Sequence, residues 1–218
     1  MAIPDQVTYQ ALVSPEDPFF DDFFRIYSES IEPREQKPRA VIAKMVTRPD
    51  YKIILQIEKG LAVGFSILFE PAGENFCLLE YMAVESSHRN SGFGGKLFRR
   101  TMENCVSSGG IPLPALLEVD SDREISAGQE MRKRRLQFYR RLGCLRIEGL
   151  PYILPLAGKG PVPEMFLLVY APGNFSTIRK PLLEHWLGVI YETVYNCAPN
   201  DSRISTMLKG VSDPVKLA

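Results

Sequence analysis

The chain has little of what announces a metal or hydrolytic centre. Only two histidines, His88 and His185, occur in 218 residues. A histidine zinc site and a histidine-based hydrolase are therefore set aside, and no G-x-S-x-G nucleophile elbow is present. The four cysteines, Cys77, Cys105, Cys144 and Cys197, form no C-x-x-C pair and have no zinc-ligand spacing, so each is read as a reduced core thiol and no metal is expected. Excess charge of either sign is also missing. Lysine plus arginine and aspartate plus glutamate number 26 each, so nothing global points to nucleic acid or a membrane surface. No apolar run approaches membrane-spanning length. The start, Met1-Ala2-Ile3-Pro4-Asp5, lacks the basic and apolar regions of a signal peptide. A soluble cytoplasmic protein is expected. Internal repeats and low-complexity segments are absent too.

What is present suits a full core, since 45 % of residues are hydrophobic. Residues 19–30 repeat apolar side chains at helical spacing (Phe20, Phe23, Phe24, Tyr27) until Pro33 and Pro38 break the pattern. A short helix is predicted over 39–46. Strands follow over 51–58 and 61–69, joined at Lys59-Gly60 as a hairpin. Another strand covers 76–84, a helix runs from Lys96 to about Cys105, and a strand covers 114–119. A long charged helix is predicted over 123–142, stopped by Gly143. A short strand at 144–147, a loop over 149–163 and a strand at 165–170 complete this part. After Pro172-Gly173 the pattern becomes helical. Leu182, Trp186, Leu187, Ile190 and Val194 mark one face of an amphipathic helix over 181–195, and a shorter helix covers 202–208. The order predicts an α+β fold with a mixed sheet, its middle strand–helix–strand unit a right-handed crossover. The domain reading is residues 1–172, with a helical extension over 173–218 packed on it.

The most informative segment is Arg89-Asn90-Ser91-Gly92-Phe93-Gly94-Gly95. A glycine turn between a strand and a helix exposes backbone N–H groups at the positive end of the helix dipole, which suits a phosphate or pyrophosphate. A nucleotide P-loop would need glycine at Asn90 and Ser or Thr at Leu97. A dinucleotide fingerprint would need its third glycine at Leu97 and a place after the first strand of a parallel sheet. Both readings fail on these positions.

Arg89 to Gly94 matches in full a third pattern: Arg or Gln, two variable residues, Gly, one variable residue, Gly or Ala. The preceding strand, Leu79-Glu80-Tyr81-Met82-Ala83-Val84, ends in a small residue and a valine. Downstream, Leu136-Gln137-Phe138-Tyr139-Arg140-Arg141-Leu142-Gly143 places an aromatic-tyrosine pair on a helix that ends in glycine. Together these segments resemble the GNAT superfamily of acyl-CoA-dependent acyltransferases over roughly residues 10–170. Cys144, where that family usually has Phe, and everything after Pro172 depart from it.

The resemblance implies the three-layer GNAT fold, with about six to seven strands flanked by helices. It also implies acetyl-CoA as co-substrate. Arg89, Asn90, Ser91, Gly92, Phe93, Gly94, Gly95 and Lys96 would hold the pyrophosphate, and the backbone of Met82, Ala83 and Val84 would pair with the pantetheine arm. An amine would attack the thioester directly through a tetrahedral intermediate, with Tyr139 as acid toward the leaving thiolate and Glu80 as base. Regular alternation would put Glu80 on the side of Leu78, Met82 and Val84, partly desolvated. Glu118 on the next strand is its rival. The acceptor, a small-molecule amine or a peptide or protein, would be shaped by residues 24–38 and 149–163, where Glu32, Glu35 and Tyr152 lie. A monomer or homodimer is expected, with no nucleic-acid or membrane partner. The competing reading is a catalytically silent acyl-CoA-binding or interaction module on the same scaffold.

Overall fold

A computed structural model describes residues 7–126, 128–156, 164–171, 173 and 175–218. The boundary expected at Pro172 and part of the loop expected over 149–163 lie outside the described residues. Contacts group the chain into two compact units, Met1–Pro112 and Leu113–Ala218.

The first unit carries β1 (Thr8–Leu12), α1 (Phe20–Ser30), α2 (Arg39–Val46), β2 (Tyr51–Glu58), β3 (Leu61–Phe69), β4 (Cys77–Val84) and α3 (Phe93–Met102). Its strands pair antiparallel in the order β1-β2-β3-β4. The β2–β3 hairpin closes on Lys59 and Gly60, both at positive φ, the geometry that matches the twist of paired strands. Strand β1 was not foreseen, because it buries only Leu12 fully and lacks clean alternation.

The two sheet faces are covered by different helices. On one, Phe23 of α1 meets Phe65 of β3 edge-to-face, with ring centroids 5.0 Å apart. On the other, Phe93 and Leu97 of α3 pack with Val63 and Val84, and the half-buried Met82 joins them. There Thr101 Oγ1 donates to Leu97 O at 2.9 Å and lies 2.6 Å from Ser66 Oγ. Ser66 therefore donates to Thr101, and both buried hydroxyls are satisfied.

Strand β4 is irregular where the chemistry was expected. Ile67 pairs with Tyr81 and Leu68 with Leu79, so Glu80 has no partner residue on β3. This is a β-bulge, and an extra residue resets the alternation beyond it. Glu80 consequently does not share a face with Met82 and Val84. Those two pack toward α3, whereas Glu80 meets Lys37 of the α1–α2 link.

The cysteine reading also needs correction. Cys77 at the start of β4 and Cys105 just after α3 form a disulfide, with Cα atoms 6.1 Å apart. Their separation of 28 residues carried no signal, since only the folded return of α3 along β4 brings them together. Cys144 and Cys197 are free thiols; burial pushes the Cys144 thiol up to about 12.

The second unit holds β5 (Ala115–Asp120), α4 (Gln129–Arg141), β6 (Leu145–Arg146), β7 (Tyr152–Ile153), β8 (Glu164–Tyr170), β9 (Thr177–Ile178), α5 (Lys180–Thr193), α6 (Ser202–Leu208) and β10 (Val215–Lys216). β8 pairs antiparallel with β5, β6 and β7, and β9 pairs with β10. Helix α4 begins later than the charge pattern suggests. Arg132 donates to Ser121 O and Glu124 O, each at 2.8 Å, which holds the chain before α4 as a loop. The helix does end at Gly143, at φ 93°. The buried face of α5 is Leu183, Trp186, Leu187, Ile190 and Tyr191, rotated from the predicted stripe because Leu183 and Tyr191 replace Leu182 and Val194. The Tyr191 hydroxyl donates to Ile153 O and ties α5 to β7. No helix among the described residues is long and apolar enough to cross a membrane.

Candidate active site

The turn between β4 and α3 is built by backbone conformation. Asn90 takes φ 63° and Gly92 φ 85°. Gly92 is the N-cap of α3, which has no side-chain cap. The first intrahelical bond runs from Lys96 N to Gly92 O at 3.2 Å. The N–H groups of Phe93, Gly94 and Gly95 precede that bond and have no partner within the helix, and the dipole makes this end positive. Gly94 and Gly95 lie inside the first helical turn, so α3 starts three residues earlier than predicted.

Side chains of the turn face inward or brace it. Phe93 is buried against Val84 and Leu97. Arg89 Nε donates to Val84 O at 3.0 Å and its Nη2 to Ser30 Oγ at 3.3 Å. The Ser91 hydroxyl donates to His88 O. His88 lies 3.1 Å from Glu58 and 3.2 Å from Glu85, and Arg25 holds Glu85 at 2.7 Å. Lys96 Nζ stands 5.8 Å from the Phe93 ring. Arg89 thus acts here through its side chain as a strut, and the groups left for an anion are backbone N–H donors with the Lys96 ammonium nearby.

At the bulge of β4 lies the buried carboxylate. The Glu80 side chain is 3 % exposed, and Lys37 Nζ, on a side chain 19 % exposed, sits 2.9 Å from its Oε1. Neither oxygen accepts a well-aligned hydrogen bond among the described residues, so the contact with Lys37 is chiefly Coulombic. Burial raises the Glu80 carboxyl above its ordinary 4.5, while Lys37, the Tyr51 hydroxyl and Arg48 oppose the rise. The link that brings Lys37 is fixed at several points. Tyr81 donates to Glu35 O at 2.8 Å, Lys37 N donates to Tyr27 Oη at 2.7 Å, and Gln36 Nε2 donates to Ile31 O at 2.6 Å. Lys37, Tyr27, Tyr51 and Tyr81 escaped sequence reasoning. The one available signal was that Lys37 sits in a proline-bounded link already assigned to the acceptor side. Of the acidic residues placed there, Glu32 is exposed and Glu35 half-buried.

The remaining candidates belong to the second unit. Tyr139 is buried on α4, and burial pushes its phenol up to about 12. Glu118 is half-exposed on β5. Its Oε1 accepts from the Tyr152 hydroxyl and its Oε2 from that of Tyr195, at the end of the α5 segment. Both oxygens of the rival carboxylate are therefore engaged by tyrosines, one of them from the C-terminal extension.

The sequence matches the family model described as Acetyltransferase (GNAT) family over residues 18–144. The chain belongs to the GNAT family. Its fold agrees with solved GNAT structures. A GNAT-family protein of Bacteroides thetaiotaomicron superposes with a TM-score of 0.68 at 21 % identity, over 88 % of this chain and 99 % of that one. An aminoglycoside 6′-N-acetyltransferase complexed with coenzyme A gives 0.57 at 16 %, over 76 % and 96 %. A GNAT acetyltransferase of Elizabethkingia anophelis with acetyl-CoA bound gives 0.51 at 15 %, over 77 % and 99 %. Comparison with curated protein sequences finds no match. At these identities the likeness concerns fold. The GNAT assignment itself implies acyl-CoA-dependent acetyl transfer.

Proposed function

We propose that the protein is an N-acetyltransferase that moves the acetyl group of acetyl-CoA to a primary amine of a small molecule or a peptide. The observation that carries this reading is the glycine-capped start of α3. Three backbone N–H groups there lack helical partners, with no side chain in the capping position. Pyrophosphate on these N–H groups, with Lys96 beside them, would anchor the donor. The backbone of Met82, Ala83 and Val84 would guide the pantetheine arm.

Glu80 is the candidate base. It is buried, and a carboxylate raised by burial is a better proton acceptor than an exposed one. Tyr139 is the candidate acid. With its phenol up to about 12, it stays protonated at any working pH and favours the departing thiolate as a hydrogen-bond donor. Tyr139→Phe is expected to lower kcat by about 100-fold or more, with the KM for acetyl-CoA little changed. The wild-type rate should show no loss from this group below about pH 10. Steady-state thiol release from pH 6 to 10 checks both, and an unchanged kcat removes Tyr139 from the chemistry.

The silent-module reading has one observation in its favour: Glu80 already faces an ammonium, that of Lys37. Two measurements separate the readings. Saturating acetyl-CoA should raise the melting temperature under either one. Thiol release across a panel of primary amines, well above buffer hydrolysis, is expected only of the enzyme. No thermal shift would sink both.

A further inference from the structure

The first unit contains a largely buried charge pair, Glu80 with Lys37, 2.9 Å apart. Glu80 occupies the bulge of β4 and is almost wholly excluded from water. An isolated carboxylate there would take up a proton, because the neutral form is much cheaper to bury. The nearest cation is Lys37, and its position is not left to a free side chain. The backbone N–H of Lys37 is held by Tyr27 of α1, and Tyr81, next to Glu80 on β4, holds the carbonyl of Glu35 two residues earlier. Those bonds place the root of the lysine beside the bulge from two directions.

We propose that Lys37 is a positioning residue for Glu80: fixed by the α1–α2 link, its ammonium offsets part of the cost of ionising the buried carboxylate and turns it toward the link. This deepens the reading of Glu80 as the base and rests on it only for the catalytic consequence. The step served is a proton transfer. The acceptor ammonium gives a proton to the Glu80 carboxylate, and the amine lone pair forms the C–N bond of a tetrahedral intermediate; the C–S bond then breaks with its electron pair on sulfur, and the second N–H proton passes to that sulfur, leaving a neutral amide and the thiol. A Glu80 that is already protonated cannot begin it.

Other groups face the same carboxylate. Tyr51 and Arg48 come from β2 and its approach. Tyr27 stands on α1, with its ring centroid 5.2 Å from that of Tyr81. Glu35 lies on the link, and its negative charge, like that of Glu80, bears on Tyr27. Arg48 is held by Asp50 at 2.5 Å, so much of its charge is already answered. Tyr27 and Tyr51 are neutral, since burial raises both phenols. Lys37 is therefore the cation in contact with Glu80 and the one that most offsets its burial.

The test titrates Glu80 directly, by carbon-13 NMR of its carboxyl, with Glu80→Gln assigning the resonance. In Lys37→Met the midpoint should rise by about one pH unit or more, and Lys37→Arg should return it most of the way. The acidic limb of kcat/KM for thiol release should move by the same amount. Should Lys37→Met fail to fold, Lys37→Gln serves, since it keeps a polar end without the charge, and the same rise of the Glu80 midpoint is expected. An unmoved Glu80 midpoint in whichever of these variants folds overturns the proposal. A Glu80 midpoint that moves while the kinetic limb stays put upholds the coupling and removes Glu80 as base. A protein that releases no thiol with any amine fails the enzymatic reading while the NMR arms still decide this one.

Discussion

Gly92→Glu is expected to abolish acetyl-CoA binding, measured as loss of the ligand-induced melting shift, and to lower thiol release by about 100-fold or more. Gly92 sits at φ 85°, a left-handed conformation that costs an ordinary residue about 1–2 kcal/mol. A Cβ there would touch nothing within 4 Å, so the glutamate is strained without being blocked. Its carboxylate would stand where the N–H groups of α3 face a phosphate. Two unit charges about 5 Å apart at an effective dielectric of about 20 repel by about 3 kcal/mol, close to 100-fold in affinity. Gly92→Ala carries the strain without the charge and should keep most of its binding. The difference between the two variants should shrink at high salt, because the repulsion is partly screened. Equal affinities for Ala and Glu at low salt would mean that no phosphate lies at this helix end.

Glu80→Gln should lower kcat/KM by about 100-fold to 10,000-fold, with the KM for acetyl-CoA changed little. The amide keeps the shape of the side chain but cannot accept the acceptor's proton. The wild-type acidic limb, set by a carboxyl raised by burial, should vanish in the variant. Stability offers an independent check with a definite sign. The folded state holds the Glu80 proton more tightly than the unfolded chain, whose carboxyl titrates near 4.5. Between that value and the higher folded one, the native state binds more protons, so Glu80 makes stability fall as pH rises through this window. Glu80→Gln should remove that part of the slope in urea unfolding measured at several pH values. A variant with wild-type rates would move the base elsewhere. Glu118, engaged by two tyrosine hydroxyls, would then have to release one of them.

The fold is legible in the sequence where the information is local. The glycine turn, the Lys59-Gly60 hairpin and the stop at Gly143 each follow from what one residue does to its own backbone, and each is in place. It is not legible where a partner decides. A bulge at Glu80 cannot be seen in β4 alone, since it exists only against Ile67 and Leu68 of β3; the assumed alternation therefore put Glu80 on the wrong face. Strand β1 lacks a hydrophobic signature because its order comes from pairing with β2. The α5 face was drawn one residue off because Leu182 and Leu183 are equally apolar, and only packing selects Leu183. For Lys37 the sequence offers only its place in a proline-bounded link; its meaning arises from the burial of the residue it meets.

The cysteine pair has a consequence for the first unit. Glu80, the Met82-Ala83-Val84 segment and the whole turn from Arg89 to Lys96 lie between Cys77 and Cys105 in the chain. With that bond closed, strand, turn and helix form a single covalent ring. The surrounding sheet can loosen, but the ends of this segment cannot drift apart, so carboxylate and anion-facing turn stay tethered even in a partly unfolded chain.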